Sequence, residues 1–331
     1  MGGLAAIGAV GLPPLLAACG GGDSTASSPT AGAASPTAAA PTVAAPTVAK
    51  PTAGTTAAAT SAISGGPISV KAHEAGDAMV FDVDKLAVSA GKVTFNFSNT
   101  GKMEHELFVY PVQDIAAMLM LARKGQSAPE DKYIKGIAGK AEDIPAGKSA
   151  TFDATLAAGF YELACFKKSK NPDGSTFVHF DKGQSVTVAA VGPGGPSASI
   201  LTPSSTIAVD MMAGTGDLKD SWLFVPDHLM AKSGDVTFNI TNKMQMNHDV
   251  VVYPLGDISA LIKDRLAGGE NYGMIKGQQL AEDLEPGKSI SKTAKLTPGW
   301  WAAACFVVSK LPDGTPYVHR DKGQRFTFLV S

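Results

Sequence analysis

Cysteine, histidine and net charge are scarce in this chain. Its 331 residues hold three cysteines and six histidines, and 28 Lys and Arg nearly balance 30 Asp and Glu, for a formal net charge of −2. A chain so close to neutral offers no overall basic field, which argues against nucleic acid as a partner. An odd number of cysteines cannot form a fully paired disulfide framework. There is no P-loop, nucleophile elbow or zinc-protease signature to support the catalytic chemistries those motifs carry, and no small-molecule substrate is expected. The one long apolar stretch, MGGLAAIGAVGLPPLLAAC, is too short and too interrupted by Gly and Pro to span a bilayer.

What is present is present twice. Residues 93–110 read VTFNFSNTGKMEHELFVY, and residues 236–253 read VTFNITNKMQMNHDVVVY. Further on, CFKKSKNPDGSTFVHFDKGQ (165–184) returns as CFVVSKLPDGTPYVHRDKGQ (305–324). Each copy keeps thirteen residues between Cys and His, and four between that His and a Gln. Length alone is consistent with two domains. The repeat places them at 66–191 and 204–331, joined by a Gly/Pro-rich linker at 192–203. Cys165 and Cys305 are repeat equivalents, so each domain is expected to hold one lone thiol.

Cys19 stands apart. Leu16-Ala17-Ala18-Cys19, followed by glycines, resembles the lipobox of bacterial lipoprotein signal peptides, in which the cysteine is lipidated and becomes the new N-terminus. That resemblance implies a signal segment over 1–19, a lipid anchor on Cys19 and an extracytoplasmic location, periplasmic or on the outer face of the cell membrane. No Lys or Arg precedes the apolar run, where a charged segment is expected, so the true start is placed upstream. Residues 20–65 are almost entirely Ala, Pro, Thr, Ser and Gly, without the apolar content to build a core. They are expected to form a disordered tether, stiffened locally by polyproline conformation.

Beyond the tether the pattern is β. Val93-Thr-Phe-Asn-Phe and Val236-Thr-Phe-Asn-Ile alternate apolar with polar, as half-buried strands do. Short apolar runs follow at Leu107–Tyr110 and Val250–Tyr253, and later strands at Phe160–Cys165, Ser185–Val191, Trp300–Phe306 and Arg325–Val330. Ala-Gly-Lys, Pro-Gly-Lys and Pro-Asp-Gly turns separate them. Between the His strand and the Cys strand each copy carries one helical stretch. Ile115, Met118, Leu119 and Ala122 share one face in the first copy, and Ile258, Leu261, Ile262 and Leu266 in the second. The expected fold class is all-β, two tandem Greek-key sandwiches each with one inserted helix.

The chemistry lies in His105, Cys165, His179 and Gln184, and in their twins His248, Cys305, His319 and Gln324. One thiolate and two imidazoles are the donors that hold copper in a trigonal plane, with a weaker donor above it. On these residues each domain resembles the cupredoxin family, the blue-copper proteins akin to plastocyanin and azurin, although the Y-x-x-x-C…P-x-G-H…G-M pattern is matched only loosely. The resemblance implies His105 and His248 as first imidazole ligands, Cys165 and Cys305 as thiolates, and His179 and His319 as second imidazoles. Gln184 and Gln324 fall where the family has its axial Met, and stellacyanin-like members use Gln there.

Three departures bear on the site. Gln is a harder donor than Met and favours Cu(II). The long Cys–His loop, against two to four residues in the family, is expected to hold the His less firmly and even to endanger the site. Glu106 and Asp249 follow the first His and are expected to add negative charge. Met103 and Met246, two residues before the first His, are expected on the same strand face and in the core, with substitute axial donation as the alternative. His73 and His228 have no repeat partner and read as surface or satisfied histidines. Phe177, Phe180 and Tyr317, around the second His, fit either a docking surface or the packing of the loop.

The resemblance implies an electron carrier with two coppers, one per domain, working between redox donor and acceptor proteins at the membrane. A two-domain copper oxidase or nitrite reductase is disfavoured: the chain has no His-x-His pair and no Cys-His dipeptide, since Cys165 and Cys305 each precede Phe. The remaining alternatives are a copper-binding or delivery protein and a metal-free interaction module.

Overall fold

The computed structural model describes Ile63 and residues 66–331. Cys19, the apolar segment and all of the tether but Ile63 lie outside the described residues. No helix among the described residues is long and apolar enough to cross a membrane.

The first repeat builds eleven strands: β1 Ile68–Ala75, β2 Ala78–Val83, β3 Ala87–Ser89, β4 Gly91–Asn99, β5 His105–Pro111, β6 Gly139–Ile144, β7 Ser149–Leu156, β8 Gly159–Ala164, β9 Lys168–Lys170, β10 Thr176–Val178 and β11 Ser185–Val191. One sheet runs β2-β1-β4-β7 and the other β3-β11-β8-β5-β6, while β9 and β10 pair with each other alone. The chain changes sheet between β4 and β5, again between β6 and β7, and again between β7 and β8, the crossed connectivity of a Greek-key sandwich. The second repeat restates this as β12 Thr206–Ala213, β13 Trp222–Pro226, β14 Met230–Ala231, β15 Gly234–Asn242, β16 His248–Pro254, β17 Gln278–Leu284, β18 Ser289–Leu296, β19 Gly299–Ala304, β20 Val308–Lys310, β21 Pro316–Val318 and β22 Arg325–Val330. Its sheets run β13-β12-β15-β18 and β14-β22-β19-β16-β17. The all-β expectation of tandem sandwiches is met.

Alternation places the core. Along β4, Val93, Phe95 and Phe97 are buried while Asn96 is exposed, and along β15 Val236, Phe238 and Ile240 repeat the arrangement. The β4 residues meet Leu107, Val109, Leu163, Val186 and Val188 from the facing sheet, and the β15 residues meet Val250, Val252, Phe326 and Phe328. Fully burying side chains of this size stabilises by about 1.5–3 kcal/mol each. The His strand β5 does not alternate; six of its seven residues are buried. Its second face is covered by helix α1 Ala116–Arg123, which packs Met118, Leu119 and Ala122 against Phe108 and Tyr110. A strand buried on both faces reads as a continuous apolar run, which is why Leu107–Tyr110 shows no period of two.

The helix in the second domain is α3 Ser259–Leu266, with Leu261 and Ile262 buried and Leu266 partly so. The first domain adds a one-turn helix, α2 Glu130–Tyr133, where the second has a 3-10 turn at Tyr272–Ile275. Pro129 before Glu130, with acidic residues opening the turn, supplies the local signal that apolar periodicity does not carry.

The two sandwiches touch through reciprocal contacts. Ile115 N donates to the Asp321 carbonyl oxygen at 2.8 Å, and Ile258 N to that of Asp181 at 2.8 Å. Lys182 pairs with Asp257 at 2.6 Å and Lys322 with Asp114 at 2.9 Å. Thr187 N donates to Thr327 Oγ1 at 2.7 Å, and Thr327 N to Thr187 Oγ1 at 3.0 Å. The backbones crowd here. Gly183 has φ +100°, and a Cβ on it would stand 2.8 Å from the Gly256 carbonyl oxygen, so both conformation and space require glycine.

Candidate metal centres

Each centre is assembled from three places in one sandwich. His105 opens β5, Cys165 follows the end of β8, and His179 follows β10 and opens a 3-10 turn, His179–Lys182, that leads to Gln184. The strands β5 and β8 are neighbours, with Phe108 opposite Ala164, so the first His and the Cys meet at one end of the sheet. His248, Cys305, His319 and Gln324 occupy the same places in the second domain.

The donors converge. His105 Nδ1 lies 3.2 Å from His179 Nδ1, which lies 3.5 Å from Cys165 Sγ. In the second domain the two imidazole Nδ1 atoms are 3.1 Å apart, and Cys305 Sγ is 3.8 Å from that of His248 and 3.6 Å from that of His319. A point equidistant from these three atoms is about 2 Å from each, within the range of metal–nitrogen and metal–sulfur bonds. All six side chains are buried. The Glu106 and Asp249 amides point at the sulfurs, 3.5 and 3.4 Å away. Gln184 Oε1 sits 2.9 Å from His105 Nδ1. Gln324 turns its amide nitrogen to Met244 Sδ at 3.4 Å and leaves Oε1 buried without a partner.

Burial sets the protonation of these groups. It pushes the His179 and His319 imidazoles down to about 3, helped by the neighbouring His105 and His248 respectively, and that of His248 down to about 4. His105 is also lowered by burial, with the Glu74 carboxylate and Gln184 opposing. Both thiols are raised by burial, reinforced by Glu106 at Cys165 and by Asp249 at Cys305. Neutral imidazoles are ready donors, and a buried thiol gives up its proton to a cation at the same place. Two imidazoles and one thiolate converging in this way fit a soft metal such as copper.

The long Cys–His loop does not loosen the second His. Its thirteen residues fold into the hairpin β9–β10, closed by Asn171–Ser175. From that hairpin the Ser169 hydroxyl holds His179 Nε2 at 2.9 Å, and Ser309 holds His319 Nε2 at 2.7 Å. Cross-strand hydrogen bonds replace the shortness that would otherwise fix the ring.

Other expectations change as well. Met103 and Met246 lie in the bend before the His strand rather than on it, and Met246 is 37% exposed instead of core. The bend belongs to buried Asn99, whose Nδ2 donates to the Met103 and Ile144 carbonyls while its Oδ1 accepts from Gly101 N; Asn242 does the same in the second domain. Phe177, Phe180 and Tyr317 are buried and pack the loops, so they form no docking surface. Burial pushes Glu106 up to about 8, so at neutral pH it adds little negative charge. Cys165 and Cys305 are free thiols, as the repeat implied. His73 Nδ1 lies 3.7 Å from Asp82 and His228 Nδ1 2.9 Å from Asp227, and neither is among the donors of the two centres.

Sequence reasoning missed Asn99, Asn242, Ser169 and Ser309, though all four are repeat equivalents and were visible as such. It also missed Arg123, whose guanidinium bridges Asp181 at 2.7 Å and Asp321 at 2.6 Å between the domains. Arg123 has Leu266 as its counterpart, so comparison of the repeats gave no signal.

No protein family matches the chain, and no curated protein does. Solved structures similar to it include a dithionite-reduced auracyanin from the photosynthetic bacterium Roseiflexus castenholzii, at 19% identity over 40% of this chain and 100% of that one, with a TM-score of 0.30. A multicopper oxidase is similar at 14% identity over 80% and 88%, TM-score 0.27. Auracyanin A, a "blue" copper protein from Chloroflexus aurantiacus, is similar at 23% identity over 30% and 86%, TM-score 0.25. The cupredoxin-like fold rests on the strand order and on the two His–Cys–His groups at corresponding ends of the sandwiches.

Proposed function

We propose that the chain is a membrane-anchored, extracytoplasmic electron carrier with one copper in each domain. The observation that carries this is the buried triangle of two imidazole Nδ1 atoms and one sulfur, formed twice. His105, Cys165 and His179 would hold the first copper, and His248, Cys305 and His319 the second, with Gln184 and Gln324 as the further oxygen donors. Copper bound there supplies one-electron exchange between Cu(II) and Cu(I).

The protein's part is rigidity and dryness. Ser169 and Ser309 fix the second imidazole, Asn99 and Asn242 fix the bend before the first, and the Glu106 and Asp249 amides steady the sulfurs. Side chains held this firmly favour exchange with little rearrangement. The carrier role, rather than an oxidase or reductase, is supported by what fills the interface. Arg123, Asp181, Arg320 and Asp321 form a buried ion cluster between the domains. Cys19 and the tether would anchor this head near membrane-bound redox donors and acceptors.

The test is a copper titration of residues 66–331 followed by visible absorption and electron paramagnetic resonance. An intense thiolate-to-Cu(II) band saturating at two coppers per chain, halved by Cys165→Ser or Cys305→Ser, is the expected result. Absence of the band at every copper load would overturn the carrier and leave a metal-free module or a delivery protein.

A further inference from the structure

The two centres differ behind the first histidine. In the first domain His105 Nε2 lies 3.3 Å from Glu74 Oε1. The same carboxylate accepts from the Lys102 and Met103 amides, each at 2.9 Å. Gly101 makes the space, since a Cβ there would stand 2.8 Å from both carboxylate oxygens. The second domain lacks both parts. Ile68 pairs with Phe95 and Ile207 with Phe238, so Ala213 stands in the place of Glu74, and Met244 stands in that of Gly101. His248 Nε2 is buried without a partner. The Trp222 ring packs edge-on there, 5.8 Å from His248 and 4.5 Å from His319, where sheet register puts Met79 in the first domain.

We propose that Glu74 holds the first copper at a lower reduction potential than the second, so that an electron shared between the two sites rests on the second domain. The proposal rests on the copper carrier described above. An imidazole whose outer N–H donates to a carboxylate is the more basic at its metal-facing nitrogen, and the nearby negative charge also favours the more highly charged ion. At the second site an unpartnered ring nitrogen and an indole cover favour the ion of lower charge. The exchange is a single electron: the first site is oxidised as the second is reduced, no bond forms or breaks, and no proton moves.

The experiment is a redox titration of the copper-loaded protein followed by its thiolate band. Cys305→Ser keeps only the first site, Cys165→Ser only the second, and Glu74→Gln keeps an oxygen for the amides while removing the charge. Two waves are expected, the lower from the first site. Glu74→Gln should raise that wave by at least tenfold in equilibrium constant, about 59 mV for one electron, and leave the upper wave in place. One wave, the reverse order, or an unmoved lower wave in Glu74→Gln would overturn the proposal while the copper carrier stands. Absence of any thiolate band would overturn the copper carrier itself, and the proposal with it. Should either cysteine variant fail to fold, the wild type and Glu74→Gln alone decide the matter.

Discussion

The Arg320 guanidinium lies 4.3 Å from the centre of the Phe180 ring, and its Nη2 donates to the Phe180 carbonyl oxygen at 3.4 Å. Phe180 follows His179 and Arg320 follows His319, so the residues bonded to the two second histidines are in contact. Arg320 also reaches Asp181 at 3.3 Å, and Arg123 joins Asp181 to Asp321.

Arg123→Ala leaves two buried carboxylates short of a partner. Breaking a buried pair in this way costs about 3–5 kcal/mol, and chemical denaturation should show a loss of that size. Arg123→Lys should recover only part of it, because an ammonium cannot reproduce a planar fork shared between two carboxylates.

Ser169→Ala should weaken copper retention in the first domain alone, and Ser309→Ala in the second alone. Losing the partner of a ligating imidazole typically costs 10–100-fold in metal affinity, whereas one hydrogen bond contributes only about 1 kcal/mol to folding. Competition against a chelator, read beside a thermal melt, separates the two effects.

Asn99→Ala removes the side chain that satisfies two carbonyls and one amide around the bend before His105. Each buried group left unpaired costs about 1–3 kcal/mol, so the variant should lose more stability than Ser169→Ala. Its first-domain copper should bind more weakly as well, while the second-domain band stays unchanged.

Metal-free protein should lose stability as pH falls. Unfolded imidazoles take up protons near pH 6.5, whereas folded His179 and His319 wait until about 3 and folded His248 until about 4. Between those limits the three histidines bind more protons in the unfolded state, so their contribution to stability rises with pH and is complete above 6.5, while Glu106, raised to about 8, opposes them. A tenfold difference in proton affinity between the folded and unfolded states corresponds to about 1.4 kcal/mol, and denaturant midpoints measured across the window should show the slope. His179→Gln should flatten it.

The sequence made legible what came in two copies. His105 and His248, Cys165 and Cys305, and His179 and His319 stand out because the chain repeats them at fixed spacing, and alternation along β4 and β15 revealed the core face. Glu74 was not legible, because its relation to His105 is made by the parallel pairing of β1 with β4, two segments with no local pattern in common. The firmness of the second His is hidden for a similar reason: loop length says nothing of the cross-strand bonds that turn Lys168–Lys170 and Thr176–Val178 into a hairpin. Met103 and Met246 fall before a strand that begins two residues later, because the buried Asn99 and Asn242 bend the chain first.

Ile115 with Asp321 mirrors Ile258 with Asp181, and the Lys–Asp and Thr–Thr contacts mirror each other likewise. That is the surface by which two identical subunits would pair about a twofold axis. In a homodimer any substitution appears in both halves at once, and the two metal sites stay identical. Covalent tandem fusion lifts that constraint, since one half can acquire a glutamate while the other acquires a tryptophan. Two halves that a dimer would keep equal are free, in one chain, to differ at their metal sites.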